Sequence, residues 1–504
     1  MKGFSSLLLH LFLLCTVLAS CRQSIPAQYA QADVLPKLYP DYADVTVPVN
    51  IAPLCFEVFN QADAALTRFS AAGEELLCSG LKVRPDVETW HRLLAVARGG
   101  EVSVEVFLKK DGRWTRMKPF AISVSPDSID PWLCYRLIAP SYVSYEQLTI
   151  NQRCLENFTE QVIADNMLCS NESGGQCINC HSFQQGNPDR MQLHARHAHG
   201  GTLIAYDGVL QKLLMQHDSL LSAPVYPAWH PSMPLIAYSC NKTLQGFHTS
   251  DINKIEVFDA QSSLVLYDVQ KHEVSTIERL PDEMATFPTW SPDGNSLYYC
   301  SAHFAYQSDS IDLEELSLRT KELHYAIFRR PFHPATRSFG PREQVVPLPA
   351  DGDSLAPDFS STLPRISPDG RWLLYTQGSY GSFHIWHRDA DLWLSDLTTG
   401  HSRPLAECNS PQAESYHAWS SNGRWIVFSS RRHDGVFTRP YFAHIDADGN
   451  ASKPFELPQA DPDLHLQLLK SYNVPELIRR PVTITPQQFA AKLKEQGTTI
   501  TYQR

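Results

Sequence analysis

The chain has 504 residues, with 43 Lys and Arg against 54 Asp and Glu, and a formal net charge of −11. That balance argues against nucleic acid and anionic lipid surfaces as partners, and the length leaves room for two to four domains. Twelve cysteines are unusual for a reducing cytosol and ordinary where disulfides persist. Their pairing cannot be read from the sequence.

The N-terminus places Lys2 before an apolar run from Leu7 to Leu18, then Ala19, Ser20 and Cys21. The run is too short for a membrane span and predicts a secretory signal over residues 1–20. Leu18-Ala19-Ser20-Cys21 resembles the bacterial lipobox, whose cysteine becomes the acylated first residue of the mature chain. The resemblance implies a lipid on Cys21 and a membrane-anchored protein on the periplasmic or cell-surface side. The plainer alternative is an ordinary signal cut nearby, with Cys21 an unmodified thiol. Residues 21–44 then read as a polar tether. Over residues 45–140, "VTVPVNIAPLCFEVF", "EVSVEVFLKK" and "MKPFAISVSP" alternate as half-buried strands do. Asp111-Gly112 is a hairpin turn between two such runs, and the region is predicted as a small β-sandwich.

From Tyr145 to Asn166 the apolar residues fall near helical spacing without proline, which predicts an amphipathic helix. It leads into "GGQCINCHSFQQGNPDRMQLHARHAHGG", Gly174 to Gly201. Together they predict a short helical insert over residues 141–200. Cys177-Ile178-Asn179-Cys180-His181 matches C-x-x-C-H, the attachment sequence of c-type haem. Two thiols three residues apart can reach both vinyl groups of one porphyrin, and the adjacent imidazole is carried to the iron. Haem c is the cofactor this implies, with Cys177, Cys180 and His181 binding it. Met191 or His194 would be the second axial ligand, because either lies within extended reach, about 33 Å for ten residues. A thioether there would favour the reduced iron and raise the potential. On one helical turn Met191 and His194 would face the same way. His197, His199, a propeller residue or an open site are the remaining choices. Zinc on Cys177, Cys180 and two of the nearby histidines, a redox pair and a strained structural disulfide are the competing readings of the cysteines.

Residues 201–460 contain a repeat. "YPAWHPSMPLIAYSC", "FPTWSPDGNSLYYCS", "LPRISPDGRWLLYTQ" and "YHAWSSNGRWIVFSS" align on Trp229, Trp290, Ile366 and Trp419, at spacings of 61, 76 and 53. The Ser-Pro-Asp-Gly turns preset one angle with proline and take positive φ at glycine. Strand-turn-strand units at a recurring interval predict propeller blades, with loops inserted at Asn241–Ala260 and Ser301–Ser317. Trp229, Trp290 and Trp419 read as packing residues, and Asp293 and Asp369 as turn residues. Within residues 461–504 a short helix is predicted from Thr485 as N-cap and Pro486 at the first position.

These motifs resemble the repeats of TolB-type periplasmic proteins, which implies a TolB-like β-propeller of six blades, with seven left open. The fold class expected is therefore mainly β: a propeller preceded by a small β-sandwich and a short helical haem segment. "YPDYADVTVPVNIAPLCFEV", "INQRCLENF", "CINCHSF" and "SYNVPEL" are together similar to a family of Bacteroidota lipoproteins that join one c-type haem motif to such a propeller. Where that family continues Arg-Gly, Arg196 is here followed by His197, which affects the turn beside the distal ligand. The resemblance implies a lipid-anchored cytochrome-like protein passing single electrons, with the propeller as docking platform for a protein redox partner. The alternatives are a binding or scaffolding lipoprotein with structural haem, and a haem peroxidase-like enzyme. No Ser-His-Asp spacing, Walker loop or H-E-x-x-H motif is present, so an electron carrier or binding protein is expected rather than an enzyme.

Overall fold

The computed structural model describes residues 24–140, 147–170, 175–307, 311–347 and 358–503. The signal and Cys21 lie outside them. The protein is mainly β, and among the described residues no helix is long and apolar enough to cross a membrane.

The N-terminal region is built on a seven-stranded sheet. Its hairpin Glu101–Lys110 and Arg113–Arg116 turns at Asp111 (φ 49°) and Gly112 (φ 78°), both in the left-handed region that a two-residue turn requires. A three-stranded sheet and the helix Val87–Val96 cover it. The helix starts where Asp86 accepts from the Thr89 N–H, and buries Trp90, whose indole N–H donates to Ile51 O at 3.1 Å. The expected tether is shorter than 21–44. Ala30–Gln31 pairs with Thr115–Arg116, and Tyr42 is fully buried with its hydroxyl on Glu456 O. Burial of that ring draws the segment into the fold. Trp425, Phe442 and Phe455 from the far end of the chain complete the same core.

The remaining sheets draw on strands from Trp132 to Gln503, wider than the predicted 201–460. The described residues of 141–200 do not form the expected helical insert; apart from one short turn of helix at Asn166–Leu168 they are mostly strand. Thr149–Cys154, Glu160–Asp165, Gln176–Gln184 and Asn187–His197 are strands, and the helix expected over 145–166 is replaced by the first two of them. Ile150 and Ile163 are buried within one sheet, so tertiary pairing overrides the helical spacing. Ser471–Ile478 returns from the C-terminal region to pair antiparallel with Trp132–Ile138. Asn241–Ala260 is not an irregular loop either, because Leu235–Phe247 and Ile255–Asp268 extend through it as a β-arm. The final helix, Pro486–Lys494, opens on a capping box between Thr485 and Gln488.

The turn residues act as turn residues. Ser291 Oγ and the Asn295 N–H donate to Asp293, and Gly294 and Gly370 both have φ 76°. The tryptophans stitch neighbouring units together: Trp290 Nε1 donates to Ala228 O at 3.0 Å, and Trp419 Nε1 to Arg365 O at 3.2 Å. Trp229 and Trp290 are buried.

Candidate functional site: a central cavity

Six strands border one cavity of about 940 Å³: Gln176–Gln184, Val225–Trp229, Glu283–Trp290, Ser360–Ile366, Glu414–Trp419 and Ser471–Ile478. Each carries one non-glycine residue in the left-handed region: Cys180, Tyr226, Phe287, Leu363, Tyr416 and Val474, with φ between 46° and 55°. All six line the cavity. At each the ladder slips, so that this residue and the next oppose a single residue of the neighbouring strand. That is a β-bulge, which re-aims a side chain and bends its strand. The opposed residue is aromatic in five cases, Tyr135, Tyr238, Tyr299, Tyr375 and Phe428, and is Leu193 opposite Cys180 and His181.

The second half of the C-x-x-C-H motif is thereby a copy of the repeat. Cys180-His181-Ser182-Phe183 occupies the place of Tyr226-Pro227-Ala228-Trp229, Phe287-Pro288-Thr289-Trp290 and Tyr416-His417-Ala418-Trp419. The histidine after the bulge residue has a structural partner in both strands that have one. His181 Nε2 lies 2.9 Å from Val474 O, and His417 Nε2 lies 3.1 Å from Leu374 O. Burial pushes His181 down to about 4 and His417 to about 3, so both rings are neutral.

Of the predicted ligands, Cys177, Cys180, His181 and His194 border the cavity, and Met191 does not. In a strand, residues three apart face opposite ways, and Met191 and His194 do so here. Met191 is fully buried in the core with Phe183 and Leu193, whereas His194 borders the cavity and its Nδ1 meets Thr202 Oγ1 at 3.0 Å. Burial holds His194 down at about 3. Cys177 and Cys180 border the cavity, and burial raises the Cys177 thiol against the pull of Arg136 and Arg196. His197 is exposed, and the His199 N–H donates to Gln176 Oε1. The His181 nitrogen expected to meet iron faces the Val474 carbonyl, and Met191 lies on the other side of its strand in the core, so of the two expected distal ligands only His194 shares the cavity with Cys177, Cys180 and His181. Among the described residues no three His, Cys, Asp or Glu side chains gather to hold a metal, and none of the ten described cysteines is paired.

The spacing of C-x-x-C-H hid other residues of the cavity. Arg365 and Glu476 occupy the position of Ala228 in their own repeat copies, and both line the cavity. Glu476 accepts the Phe183 N–H at 3.0 Å, and burial raises it to about 8. Ile255 and Val257 of the β-arm border the cavity, and between them Glu256 accepts from Tyr380 Oη at 2.6 Å and meets His387 Nε2 at 3.1 Å. Trp386, which borders the cavity, carries Arg431 3.3 Å over its ring. Aligning "CHSF" with "YHAW" would have found the equivalence.

The sheets and the cavity their strands border define a β-propeller protein. No family model matches the chain, and no curated protein does. Among solved structures it is similar to the tricorn protease, at 11% identity and TM-score 0.34, over 72% of this chain and 34% of that one. It is also similar to prolyl oligopeptidase B from Galerina marginata, at 10% identity and TM-score 0.33, over 56% and 38%. An oligogalacturonate lyase follows at 13% identity and TM-score 0.30, over 71% and 86%. The chain thus spans about a third of the length of the tricorn protease.

Proposed function

We propose that this protein is a lipid-anchored, extracytoplasmic binding protein whose central chamber holds a small ligand. In this reading the propeller has six blades, closed by the strand Ser471–Ile478, and Cys21 carries the anchor. The observation that carries it is the cavity of about 940 Å³ bordered by all six bulged strands. Its size and mixed aromatic and polar lining suit a small molecule. Native mass spectrometry of the gently purified protein tests this. A retained small molecule, absent from a Thr289→Trp variant that fills the chamber, is expected. A wild-type protein that neither retains nor is stabilised by any small molecule, or a filled variant that binds as well, overturns it.

The second reading is a c-type cytochrome that passes electrons to a protein partner, favoured by the position of Cys177, Cys180 and His194 on one cavity. It requires haem-dependent peroxidase staining of denatured protein made alongside a working haem-attachment system. The stain must vanish in the Cys177→Ala/Cys180→Ala double variant. Absence of stain in the wild type leaves the ligand-binding reading alone.

A further inference from the structure

Exposed apolar side chains gather on the side of the protein where the chain enters the N-terminal sheet. Val34, Leu35, Phe59, Leu464, Leu466 and Leu469 each leave more than a third of their surface to solvent, Val34 65% and Leu469 73%. Hydrogen bonds, strand pairs and ion pairs join the segments that carry them. The Ala30–Gln31 strand ends the seven-stranded sheet beside Thr115–Arg116, and the Lys118 N–H donates to Val34 O at 3.0 Å. The Phe59 N–H donates to Lys37 O at 2.8 Å, and its ring stacks on Tyr39 at 6.0 Å between centroids. Leu38–Tyr39, Phe56–Val58 and Lys82–Val83 form one sheet. From that sheet Lys82 and the following Arg84 reach Asp461, at 3.5 and 3.1 Å, just before the helix Leu464–Gln467.

Charge along the sheet edge is close to balanced. Lys37, Lys110, Arg113 and Lys118 stand exposed there, with the carboxylates of Asp33, Asp63 and Asp111 among them. Asp33 lies 3.8 Å from Lys118 Nζ, and Asp63 accepts the Asp111 N–H at 2.9 Å. An apolar surface with long cationic side chains around it suits the boundary between lipid headgroups and acyl chains, where Lys and Arg turn their heads toward phosphate. Such a seat needs no anionic lipid, in keeping with a chain of formal charge −11. The anchor lies close by. Ser24, the first described residue, follows Cys21 by three positions, and three residues span at most about 11 Å. A lipid on Cys21 would keep Ser24 within about that distance of the headgroups, and the chain joins the sheet edge at Ala30.

We infer that this side of the protein seats on the bilayer surface, with Val34, Leu35, Phe59 and Leu466 entering the headgroup boundary and Lys37 and Lys118 turned toward the phosphates. This rests on the lipid-anchored part of the reading above and goes beyond it in giving the anchored protein one orientation. A single acyl chain holds a protein only marginally, and a second contact makes the attachment firm.

The test uses the full-length protein reconstituted into phosphatidylcholine vesicles, with and without bromine on the acyl chains near the headgroups. A bimane label is placed at Gln467→Cys, beside Leu466, or at Ser250→Cys on the β-arm, both exposed positions. Nine of the ten described native cysteines are buried and Cys180 is half-buried, so the unsubstituted protein labelled in parallel supplies the blank. Brominated lipid is expected to quench the Gln467 label several-fold more than the Ser250 label. The Val34→Asp/Leu35→Asp/Leu466→Asp variant should still float with the vesicles, while its Gln467 label loses the quenching. Should that variant not fold, Leu466→Asp alone is expected to reduce the quenching. Protein that floats with both labels quenched alike, or with neither quenched, overturns the seat and leaves the anchor standing. Quenching undiminished in the Asp variants overturns it as well. Wild-type protein that does not float with vesicles overturns the anchored reading, and the seat with it.

Discussion

The strands Gln176–Gln184 and Glu414–Trp419 solve one backbone problem with the same side chain and differ in their chemical surroundings. Both place a non-glycine residue at positive φ, Cys180 at 52° and Tyr416 at 46°, and follow it with a buried histidine whose Nε2 reaches a backbone carbonyl. The first strand adds Cys177, whose thiol burial raises while the Arg136 and Arg196 charges act to lower it. The second adds the Arg365 charge beside its histidine. The comparison teaches that a histidine can complete C-x-x-C-H and still owe its position to the propeller repeat.

The largest test of this equivalence is acid. His181, His194 and His417 are all held neutral by burial, at about 4, 3 and 3, below the ordinary value of 6.5. The unfolded chain therefore binds more protons as pH falls below about 6.5, and the stability present above that pH is lost as pH drops through the folded values. At roughly 1.4 kcal/mol per pKa unit, the loss by pH 4 is on the order of several kcal/mol. Urea midpoints across this range should show it, and a His181→Pro/His417→Pro variant should flatten the curve. Glu476 has the opposite sign. Its raised value, about 8, costs stability as pH climbs from the ordinary carboxylate range through 8, and Glu476→Gln should remove that slope.

Single truncations come next. His181→Ala and His417→Ala each leave a buried carbonyl without its partner, and each should cost about 1–3 kcal/mol in denaturant unfolding. A much larger effect at His181 alone would break the equivalence.

Glycine at the bulge separates backbone strain from packing. Cys180→Gly relieves the left-handed conformation and should stabilise by about 1 kcal/mol. Tyr416→Gly relieves the same strain but removes an aromatic ring from the cavity wall, and should destabilise by about 1 kcal/mol net. Thermal midpoints moving in the same direction would show that strain is not the shared feature.

The smallest expected effect is the sharpest. Proline already stands at the post-bulge position in Pro227, Pro288, Pro364 and Pro475, so the backbone there accepts a residue without an N–H. His181→Pro should therefore keep stability within about 1 kcal/mol of His181→Ala in denaturant unfolding. Loss of a ligand spectrum in that variant would return the motif to the haem reading.

Much of the architecture was legible in local signals. Asp-Gly and Ser-Pro-Asp-Gly fix turn geometry through glycine φ, and Thr485-Pro486 caps a helix through hydrogen bonds three residues apart. Residues 145–166 were misread because Ile150 and Ile163 sit near a helical stripe, while strands with bulges blur the two-residue period. The cavity was not legible at all. Arg136, Arg196 and Arg365 are 60 and 169 residues apart along the chain (136 to 196, 196 to 365), with no spacing rule to join them.

By itself, then, the sequence determined the strand repeats, their turns and the presence of a C-x-x-C-H string, since each depends on residues within one or two turns of each other. Only the tertiary structure decided what His181 does. Bringing Ser471–Ile478 beside the strand that begins at Gln176 sets Val474 O against its ring, and a nitrogen bonded to a buried carbonyl is held by the fold before any ligand arrives.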